Sequence, residues 1–447
     1  MLLRKFISQR LSEYYAQPSS SVVGSVVAKS SDPPINFSRL LGSWQWRRLY
    51  AQLYEKQEGQ WLTPVELFRP YYSNTLAEFA VQAAAGNGSS ENKSNGDNGG
   101  KELHVVELGG GRGTNAAHIL SHLRDAHPTI YQNVRYTIFD ASPTLHELQK
   151  QVVLQEHDHP SDKISFVLRD MTDVAEGEAD FLSPSDVPTV VIAMELLDNL
   201  AHDKVTRCRR TRKMLQAEVV AEQDGVVAED RDEQGNDIQH VKRYREEFHP
   251  LTDPLLRDVL DAAPSYARGI GRRPKWVPTV ACGVIRRLYE ARPNSSLVMA
   301  DFDWLPAPEL IDGQSTTKRR SLEGDGEPII TDMDDVDHAC YLTAPRLCDI
   351  LFPTDFVKLG DYVAKASSSS SNSVETMTMK QADFFQKYGS EQVDQTRNWF
   401  GGYTPILEDF SNYSVITAVA RGACDDQQTT EQESKLRQKP IKIKSKR

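Results

Sequence analysis

Short apolar runs separated by segments of helical character mark most of the chain after residue 100. The runs occupy residues 103–108, 134–139, 164–168, 187–194, 297–300 and 413–419. The first four are spaced as in strand–helix–strand units, in which crossover helices join neighbouring parallel strands. Parallel strands are buried on both faces, so continuous apolar runs are typical of them. The pattern therefore predicts an α/β fold built on a mostly parallel sheet.

Residues 38–83 precede the first of these strands and are rich in aromatic side chains. Their spacing indicates helices, and aromatic side chains at helical spacing most often pack into a core. The alternative is a lid over a ligand site. The aromatic residues are Trp44, Trp46, Tyr50, Tyr54, Trp61, Phe68, Tyr71, Tyr72 and Phe79.

Several stretches have compositions that do not favour packed structure. A Gly/Asn/Ser-rich stretch at 85–101 predicts a linker, and polar stretches at 221–241, 312–327 and 366–374 predict surface insertions. The basic stretch at 425–447 predicts a disordered tail. The catalytic-type domain is thus expected over residues 102–420, as one large domain with insertions.

The overall composition excludes several classes of protein. The chain has 447 residues with 52 basic and 63 acidic side chains, a formal charge of −11, which argues against nucleic-acid binding. No apolar run approaches the ~20 residues of a membrane-spanning helix. The five cysteines are widely spaced without a C-x-x-C pair, so they predict free thiols in a reducing compartment.

The first residues depart from the acidic average. Arg4, Lys5 and Arg10 lie among apolar and serine residues, and the first acid is Glu13. This composition is typical of a mitochondrial presequence, which predicts a presequence or flexible terminus over residues 1–30 and a location in the mitochondrial matrix. The alternative is an amphipathic first helix that belongs to the folded domain.

A glycine-rich turn after the first strand is the most informative motif. The strand ends at Glu107, the turn contains Gly109, Gly111 and Gly113, and a helix is expected from about Thr114. Glycine permits positive φ angles and lets a ligand approach the backbone where a Cβ would otherwise lie. The helix N-terminus offers free N–H groups to an anionic group. Open α/β sheets bind ligands at this place, beyond the carboxyl ends of the strands.

The acids at the strand ends favour S-adenosylmethionine (SAM) over a dinucleotide at this turn. The residues 111–116 also satisfy a dinucleotide variant, Gly-x-Gly-x-x-Ala, so NAD binding is an open alternative. However, Glu107 can meet the methionine amine, Asp140 can accept from a ribose diol, and Asp170 can accept from an adenine amino group. For Asp140 alone, a turn or helix N-cap role is equally reasonable.

The segment after the fourth strand places Glu195 and Asp198 near the expected reactive end of the cofactor. Methyl transfer requires that an acceptor lone pair be held close to the methyl carbon. Two carboxylates could orient an arginine guanidinium through charge-assisted hydrogen bonds. The alternative is a helix start at which acids interact with the helix dipole.

Two histidine groups were considered as metal ligands. His118 and His122 are four residues apart in the predicted helix after the glycine turn, and His157 and His159 lie in a loop-like cluster. The first pair has no evident third ligand, and the second group, which also contains Glu156 and Asp158, is a loop-like cluster before Pro160, so no metal site is expected at either.

Taken together, these motifs resemble the MidA-like methyltransferases, which include mitochondrial protein arginine methyltransferases that assist assembly of respiratory complex I. The resemblance extends over about residues 40–420. It is carried by ELGGGRGTN, FDAS, LRDMTDV and AMELLDNLAHDKV, and further by WLTPVELF, LVMADFDW and MTMKQADFFQKYG.

The resemblance implies a Rossmann-like SAM-dependent methyltransferase fold with a seven-stranded sheet, an N-terminal helical region and insertions. It also implies dimethylation of an arginine on a complex I subunit, with Glu195 and Asp198 facing the acceptor. By position, the SAM-binding residues would be Thr63, Pro64, Glu66, Glu107, Gly109, Gly111, Gly113, Asp140 and Asp170.

The chain also departs from the family pattern. Such departures motivate a second hypothesis, an assembly chaperone that keeps the fold without catalysis, while an NAD-dependent oxidoreductase is a third. Nothing in the sequence identifies the acceptor or the oligomeric state. The departures are Val65 between the Thr-Pro pair and its acid, Gly110 for proline, Met194 for a polar residue, Ala201 for proline, and residues 301–304 for D-Y-G.

Overall fold

A computed structural model of the protein describes ten stretches of the chain. Most of the predicted linker 85–101 and of the insertions at 221–241, 312–327 and 366–374 lies outside the described residues. The predicted tail 425–447 lies wholly outside them. The described residues are 1–17, 24–25, 34–55, 62–86, 102–221, 244–270, 273–306, 308, 326–368 and 374–420.

The strands are named in chain order, and several have the bounds that the apolar runs predict. They are β1 Leu103–Leu108, β2 Val134–Asp140, β3 Ile164–Leu168, β4 Thr189–Met194, β5 Asp203–Arg207, β6 Met214–Ala221, β7 Tyr244–Pro250, β8 Lys275–Val277, β9 Ser296–Phe302, β10 Ile329–Asp332, β11 Cys348–Leu351, β12 Val374–Lys380 and β13 Tyr413–Ala420.

The α-helices are named in the same way. They are α1 Leu3–Tyr15, α2 Ser43–Glu55, α3 Pro64–Leu67, α4 Tyr71–Gly86, α5 Thr114–Ala126, α6 Pro128–Asn133, α7 Pro143–Lys150, α8 Met171–Glu176, α9 Pro254–Ala262, α10 Thr279–Ala291, α11 Phe356–Ser367, α12 Gln381–Tyr388, α13 Ser390–Gln395 and α14 Pro405–Glu408.

The main sheet has seven strands in the order β12-β13-β9-β4-β1-β2-β3. Strands β1, β2, β3, β4 and β9 run parallel, whereas β13 is antiparallel to β9 and to β12. In the register, Glu107 of β1 lies beside Ile138 of β2 and Ile192 of β4. The expected fold class, a mostly parallel seven-stranded α/β sheet, is confirmed.

Successive residues of the central strands pack on opposite sides of the sheet, as strand geometry requires. Val106 and Val191 belong to a core shared with α1, α8 and α10. Val105 and Val190 belong to a second core shared with α2, α4 and α5. Both cores therefore include residues that precede 102, so the folded unit extends further towards the N-terminus than the predicted domain 102–420.

The first helix is part of the fold, which corrects the expectation of a flexible terminus for residues 1–17, whereas most of the remainder of the predicted stretch 1–30 lies outside the described residues. Leu3 and Ile7 in α1 are fully buried, and the backbone N–H of Val219 in β6 donates to the Met1 carbonyl at 2.9 Å. Arg4 is 2% exposed and forms ion pairs of 2.8 Å with Glu176, Asp203 and Asp253. The alternative, an amphipathic first helix of the folded domain, describes what is observed.

Two smaller antiparallel sheets were not predicted. One has the order β7-β6-β5-β8, and the other pairs β10 with β11. Several of these strands are half-buried and carry mixed polar and apolar residues, so the sequence contains no long apolar run to mark them. Strand β12 at the edge of the main sheet was missed for the same reason.

Composition also led to expectations about membrane-spanning segments and about the cysteines. Among the described residues, no helix combines the length and the apolar character needed to cross a membrane. Cys208, Cys282, Cys340 and Cys348 are free thiols, and Cys424 lies outside the described residues.

Candidate active site

A cavity of about 740 Å³ lies at the carboxyl ends of the parallel strands. The crossover connections leave this edge of the sheet open, and they bring the residues that follow each strand to one place. All of the predicted site residues except Gly113 line it, namely Thr63, Pro64, Glu66, Glu107, Gly109, Gly111, Asp140, Asp170, Glu195 and Asp198.

Two glycines of the turn have different roles. Gly111 has φ +50°, and a Cβ added there would meet no atom within 4 Å, because the position faces the open cavity. Gly113 has φ +86° and caps α5, and its Cβ would lie 3.0 Å from the Cα of Gln149. Gly111 therefore leaves room for a ligand, whereas Gly113 lets the start of α5 pack closely against the end of α7.

Glu107 is buried at the end of β1 and accepts two hydrogen bonds. Asn115 Nδ2 donates to Oε1 at 2.7 Å, and the Tyr136 hydroxyl donates to Oε2 at 2.9 Å. Burial raises the pKa of Glu107 to about 7. A cationic group in the cavity would favour the ionised carboxylate, so Glu107 is suited to bind an ammonium group.

Asp140 at the end of β2 is linked to the glycine turn through Gln149. Gln149 Nε2 donates to Asp140 Oδ2 at 2.8 Å and to the Gly111 carbonyl at 3.0 Å. The Ser142 backbone N–H donates to Asp140 Oδ1 at 2.9 Å, while Ser142 itself caps α7. Asp140 thus forms a turn and lines the cavity at once. Burial raises its pKa to about 6.

Gln149 was not among the predicted site residues. It is fully buried, and nothing in its sequence surroundings marks it, because its partners Gly111 and Asp140 lie in other segments.

Asp170 follows β3 and caps α8 by accepting from the Thr172 N–H at 2.7 Å. Its other oxygen lies 3.4 Å from the Ser8 hydroxyl of α1. Asp170 lines the cavity, so the N-cap role and a ligand contact are compatible.

Helix α3 brings the Thr63–Pro64 segment to the wall of the cavity. Thr63 caps α3 with Pro64 as its first residue, and Glu66 is 3% exposed. Burial raises the pKa of Glu66, while hydrogen bonds from Thr114 and Ser25 and the charges of Arg112 and Arg69 oppose that shift. The intervening Val65 also lines the cavity, so the inserted residue does not move Glu66 away from it.

Glu195 has an unusual backbone and an unpartnered oxygen. Its φ is +53°, in a region that residues with a side chain rarely adopt. Its Oε1 is buried without a hydrogen-bond partner. Burial, followed by the charge of Asp198, raises the pKa of Glu195 well above its ordinary value. Strain and an unsatisfied buried carboxyl oxygen are both characteristic of functional positions.

Asp198 lies at the centre of a group of carboxyl groups from distant segments. The backbone N–H of Asp198 donates to Asp301 Oδ2 at 3.1 Å, and the two side chains are hydrogen-bonded. Asp349 in β11 is also close, and burial followed by the charge of Asp198 raises its pKa to about 7. The same two causes raise the pKa of Asp301 well above its ordinary value. We call Glu195, Asp198, Asp301 and Asp349 the acidic cluster.

The turn that holds Asp198 differs from one of the two interpretations of the sequence, the start of a helix. The turn after β4 is a 3-10 turn of three residues, Leu197–Asn199, and not the start of a helix. Asp301 and Asp349 were missed as site residues. A signal existed for Asp301, which follows the apolar run 297–300 as Asp140 follows 134–139.

Helix α1 contributes to the cavity through Ser8, Leu11, Ser12 and Tyr15. The Tyr15 hydroxyl donates to Asn199 Oδ1 at 2.9 Å and lies 3.3 Å from Asp349 Oδ2. The Tyr15 carbonyl accepts from the Ser142 hydroxyl at 2.7 Å. One helix therefore contacts the ends of β2 and β3, the turn after β4, and strand β11.

The aromatic N-terminal region is mainly core, as expected. Trp46, Phe68, Tyr72 and Phe79 are buried, whereas Tyr54 lines the cavity. Trp61 lies outside the described residues.

A family model matches residues 75–374, which is more than half of the chain, and its description reads "Putative S-adenosyl-L-methionine-dependent methyltransferase". The chain belongs to this methyltransferase family. Its cofactor is SAM, which decides between the two ligands that the glycine turn left open. No curated protein matches the sequence significantly.

Two solved structures share the fold of this methyltransferase. A COG1565 superfamily member from Burkholderia thailandensis bound to S-adenosyl-homocysteine has a TM-score of 0.57 at 14% identity, covering 94% of this chain and 87% of its own. A second COG1565 superfamily protein from the same organism has a TM-score of 0.51 at 15% identity, covering 80% and 82%.

The cavity of the methyltransferase fits SAM in its chemistry. Open space at Gly111 leaves the backbone accessible, and carboxylates follow β1, β2 and β3 within one cavity. These groups suit the ammonium, hydroxyl and amino groups of the cofactor.

The departures from the MidA-like pattern have different structural settings. A Cβ at Gly110 would lie 2.5 Å from Ile138 Cγ2, so proline does not fit this turn unless Ile138 moves. Met194 lies 3.7 Å from the Tyr72 hydroxyl and lines the cavity. Ala201 is 2% exposed in the core. Of these three, Gly110 and Met194 line the cavity, whereas Ala201 does not.

Proposed function

We propose that this SAM-dependent methyltransferase modifies an arginine of a protein, in line with its resemblance to the MidA-like proteins, and that the protein substrate is a complex I subunit. The acidic cluster is the main support for a cationic acceptor. Burial and mutual repulsion disfavour the ionised forms of these carboxyl groups. A positive charge placed among them would favour the ionised forms and so oppose both effects.

The unpartnered Oε1 of Glu195 is the observation that carries this proposal. A planar guanidinium offers several N–H donors in a fixed arrangement, and a carboxylate accepts two of them at once. Glu195 has the free acceptor oxygen that such a contact needs. Glu195 has a positive φ at the end of β4, and its side chain lines the cavity. The backbone N–H of Glu195 donates to the Ala300 carbonyl at 2.9 Å, which fixes the position of the residue.

The chain's own residues divide into two groups in this mechanism. Glu107, Asp140 and Asp170 would bind the cofactor, with Gly109, Gly111 and the Thr63–Pro64 segment shaping its space. When bound, SAM supplies an activated methyl group. Glu195 and Asp198 would orient the acceptor nitrogen, and the hydrogen-bonded Asp198–Asp301 pair, with raised pKa values, would take up its proton.

The variant Glu195→Gln tests this assignment. We expect SAM binding to stay within about twofold, because Glu195 lies outside the cofactor group, and methyl transfer to fall by roughly 10²–10³-fold. Binding is measured by calorimetry. Transfer is measured with labelled SAM and an extract of mitochondria from cells that lack the protein, followed by mass spectrometry of arginine residues.

Glu178→Gln is the matched control, since that carboxylate is exposed on the surface. It should retain both binding and transfer. Equal transfer by the wild type and Glu195→Gln would exclude Glu195 from the mechanism. A methyl mark on another residue type would contradict the arginine assignment while leaving the methyltransferase assignment intact.

The second candidate is an assembly chaperone that binds SAM without catalysis. The observation in its favour is Met194, an apolar side chain on the cavity wall at a usually polar position. Cells that lack the protein distinguish the two candidates. Glu195→Gln should restore complex I if the chaperone role suffices, and should fail if methylation is required.

We also propose a location in the mitochondrial matrix, on the basic composition of the first residues. The fold adds a condition to this proposal, namely that import leaves α1 in place, because α1 lines the cavity and Arg4 is buried. The mature protein would therefore keep these residues. N-terminal sequencing of the protein from purified mitochondria tests the condition, and a mature N-terminus that lacks Arg4 would contradict it.

A further inference from the structure

Three side chains of metal-ligating type meet away from the cavity, where α4 packs against α5. Glu78 belongs to α4, His122 lies in the last turns of α5, and His127 follows that helix. The Nε2 atoms of His122 and His127 lie 2.7 and 2.9 Å from the same oxygen, Oε1 of Glu78. None of the three lines the cavity, so the methyltransferase mechanism does not use them.

The distances are close to those of a tetrahedral metal site. Zn²⁺ binds nitrogen and oxygen ligands at about 2.0–2.1 Å, so two ligand atoms of a tetrahedron lie about 3.3 Å apart. Each histidine nitrogen would have to move away from Glu78 Oε1 by only a few tenths of an ångström, and all three ligand atoms lie within 4.8 Å of one another. The side chains are 14%, 26% and 28% exposed, which leaves a path for an ion and a fourth position for water.

The residue types also suit a metal site. Two imidazole nitrogens face the same carboxylate oxygen. Two histidines and one carboxylate, with water in the fourth position, form a common zinc ligand set.

We propose that Glu78, His122 and His127 form a binding site for Zn²⁺ or a similar first-row divalent cation. The site would link α4 to the end of α5 and would stabilise the folded state by binding it selectively. It differs from the pair that the sequence suggested, because the His118 ring contacts His157, with ring centres 4.8 Å apart, and takes no part in the cluster.

Titration of the full-length, metal-free protein with Zn²⁺ tests the proposal. We expect one site per chain and a rise in the melting temperature of several degrees at saturating Zn²⁺. Glu78→Gln keeps a side chain that can hydrogen-bond to both histidines but removes the charged ligand, so its Zn²⁺ affinity should fall at least tenfold. His122→Gln combined with His127→Gln should abolish binding at this site.

His249→Gln is the matched control, because His249 is paired with a single carboxylate, Glu247, at 3.2 Å. It should bind Zn²⁺ like the wild type. Should the cluster variants fail to fold, protection of the wild-type histidines decides. Zn²⁺ should shield His122 and His127, and not His249, from chemical acylation detected by mass spectrometry. Equal affinity in the wild type and Glu78→Gln, or no protection of His122 and His127, would overturn the proposal.

Discussion

At the scale of single residues, identical residue types in one motif perform different tasks. Gly111 and Gly113 both have positive φ, yet the first faces open space and the second faces the backbone of Gln149. The sequence places both in the cofactor group. The structure separates them, because a missing side chain leaves space for a ligand only where the cavity lies.

Gly111→Val is expected to weaken SAM binding by at least tenfold, because its side chain would project into the cofactor space. The positive φ adds backbone strain of roughly 1–3 kcal/mol, which any variant at such a position shares. Calorimetric titration with SAM measures the affinity.

Gly401→Val separates the two effects. Gly401 has φ +81° and also meets nothing within 4 Å, but it lies outside the cavity. It should lose similar stability and retain SAM binding. If both variants bind SAM as the wild type does, Gly111 does not border the cofactor.

At the scale of elements, α1 is the part of the fold that joins the cofactor side of the cavity to the acidic cluster. Its apolar face packs against β5, β6 and β11 of the two smaller sheets, and its polar residues Ser8 and Tyr15 reach the ends of several strands. Arg4 fixes the helix by three buried ion pairs, of which two partners lie in β5 and in the turn before α9. The segment has a presequence-like composition, and in the folded protein it forms a basic helix with one buried face.

Arg4→Met is expected to lower the free energy of unfolding by about 3–5 kcal/mol, because it leaves Glu176, Asp203 and Asp253 buried without their common cation. Chemical denaturation measures this change. SAM affinity should fall in parallel, since α1 lines the cavity.

Arg346→Met provides the comparison for Arg4→Met. Arg346 pairs with Glu13 of the same helix, but its side chain is 75% exposed, and exposed ion pairs contribute little to stability. A loss for Arg346→Met as large as that for Arg4→Met would show that burial is not what makes the Arg4 contacts strong.

At the scale of the whole molecule, the fold concentrates negative charge at one place. The formal charge of −11 is spread along the sequence, but four carboxyl groups converge in the acidic cluster. Their raised pKa values mean that the folded state holds protons that the unfolded chain releases. Stability from this source is present at low pH and is lost as the pH rises through the folded-state pKa values.

The effect of Asp301→Asn on the free energy of unfolding of the cofactor-free protein should therefore be more favourable at pH 8 than at pH 5, by roughly 1–3 kcal/mol. The amide nitrogen takes the place of Oδ2 and can donate to the Asp198 carboxylate, while the amide oxygen still accepts from the Phe302 N–H. The hydrogen bond from the Asp198 N–H is lost at both pH values, so its cost cancels in the comparison. Urea denaturation across this pH range measures the difference. The buried histidines titrate in both proteins, so their effect cancels.

Asp125→Asn is the control for removing one negative charge, because that side chain is 73% exposed. A stability difference for Asp301→Asn that does not grow between pH 5 and pH 8 would contradict the raised pKa of Asp301. Methyl transfer by Asp301→Asn should also fall, since the Asp198–Asp301 pair would lose its capacity to take up a proton.

The sequence by itself determined the parallel sheet, the glycine turn and the acids that follow β1 to β4. Each of these is a local pattern: an apolar run marks a buried strand, and the next few residues must lie at its carboxyl end. The family match spans residues 75–374, which include these motifs, and it identifies the cofactor as SAM.

Only the tertiary structure decided which distant residues meet. Asp301 is hydrogen-bonded to the backbone of Asp198, 103 positions earlier, because β9 lies next to β4 in the sheet. Gln149, Asp349, the partners of Arg4 and the Glu78–His122–His127 cluster also depend on contacts between segments. Strand order and helix packing set such contacts. Strand order and helix packing depend on how the whole chain buries its apolar residues. A short stretch of sequence does not contain that information.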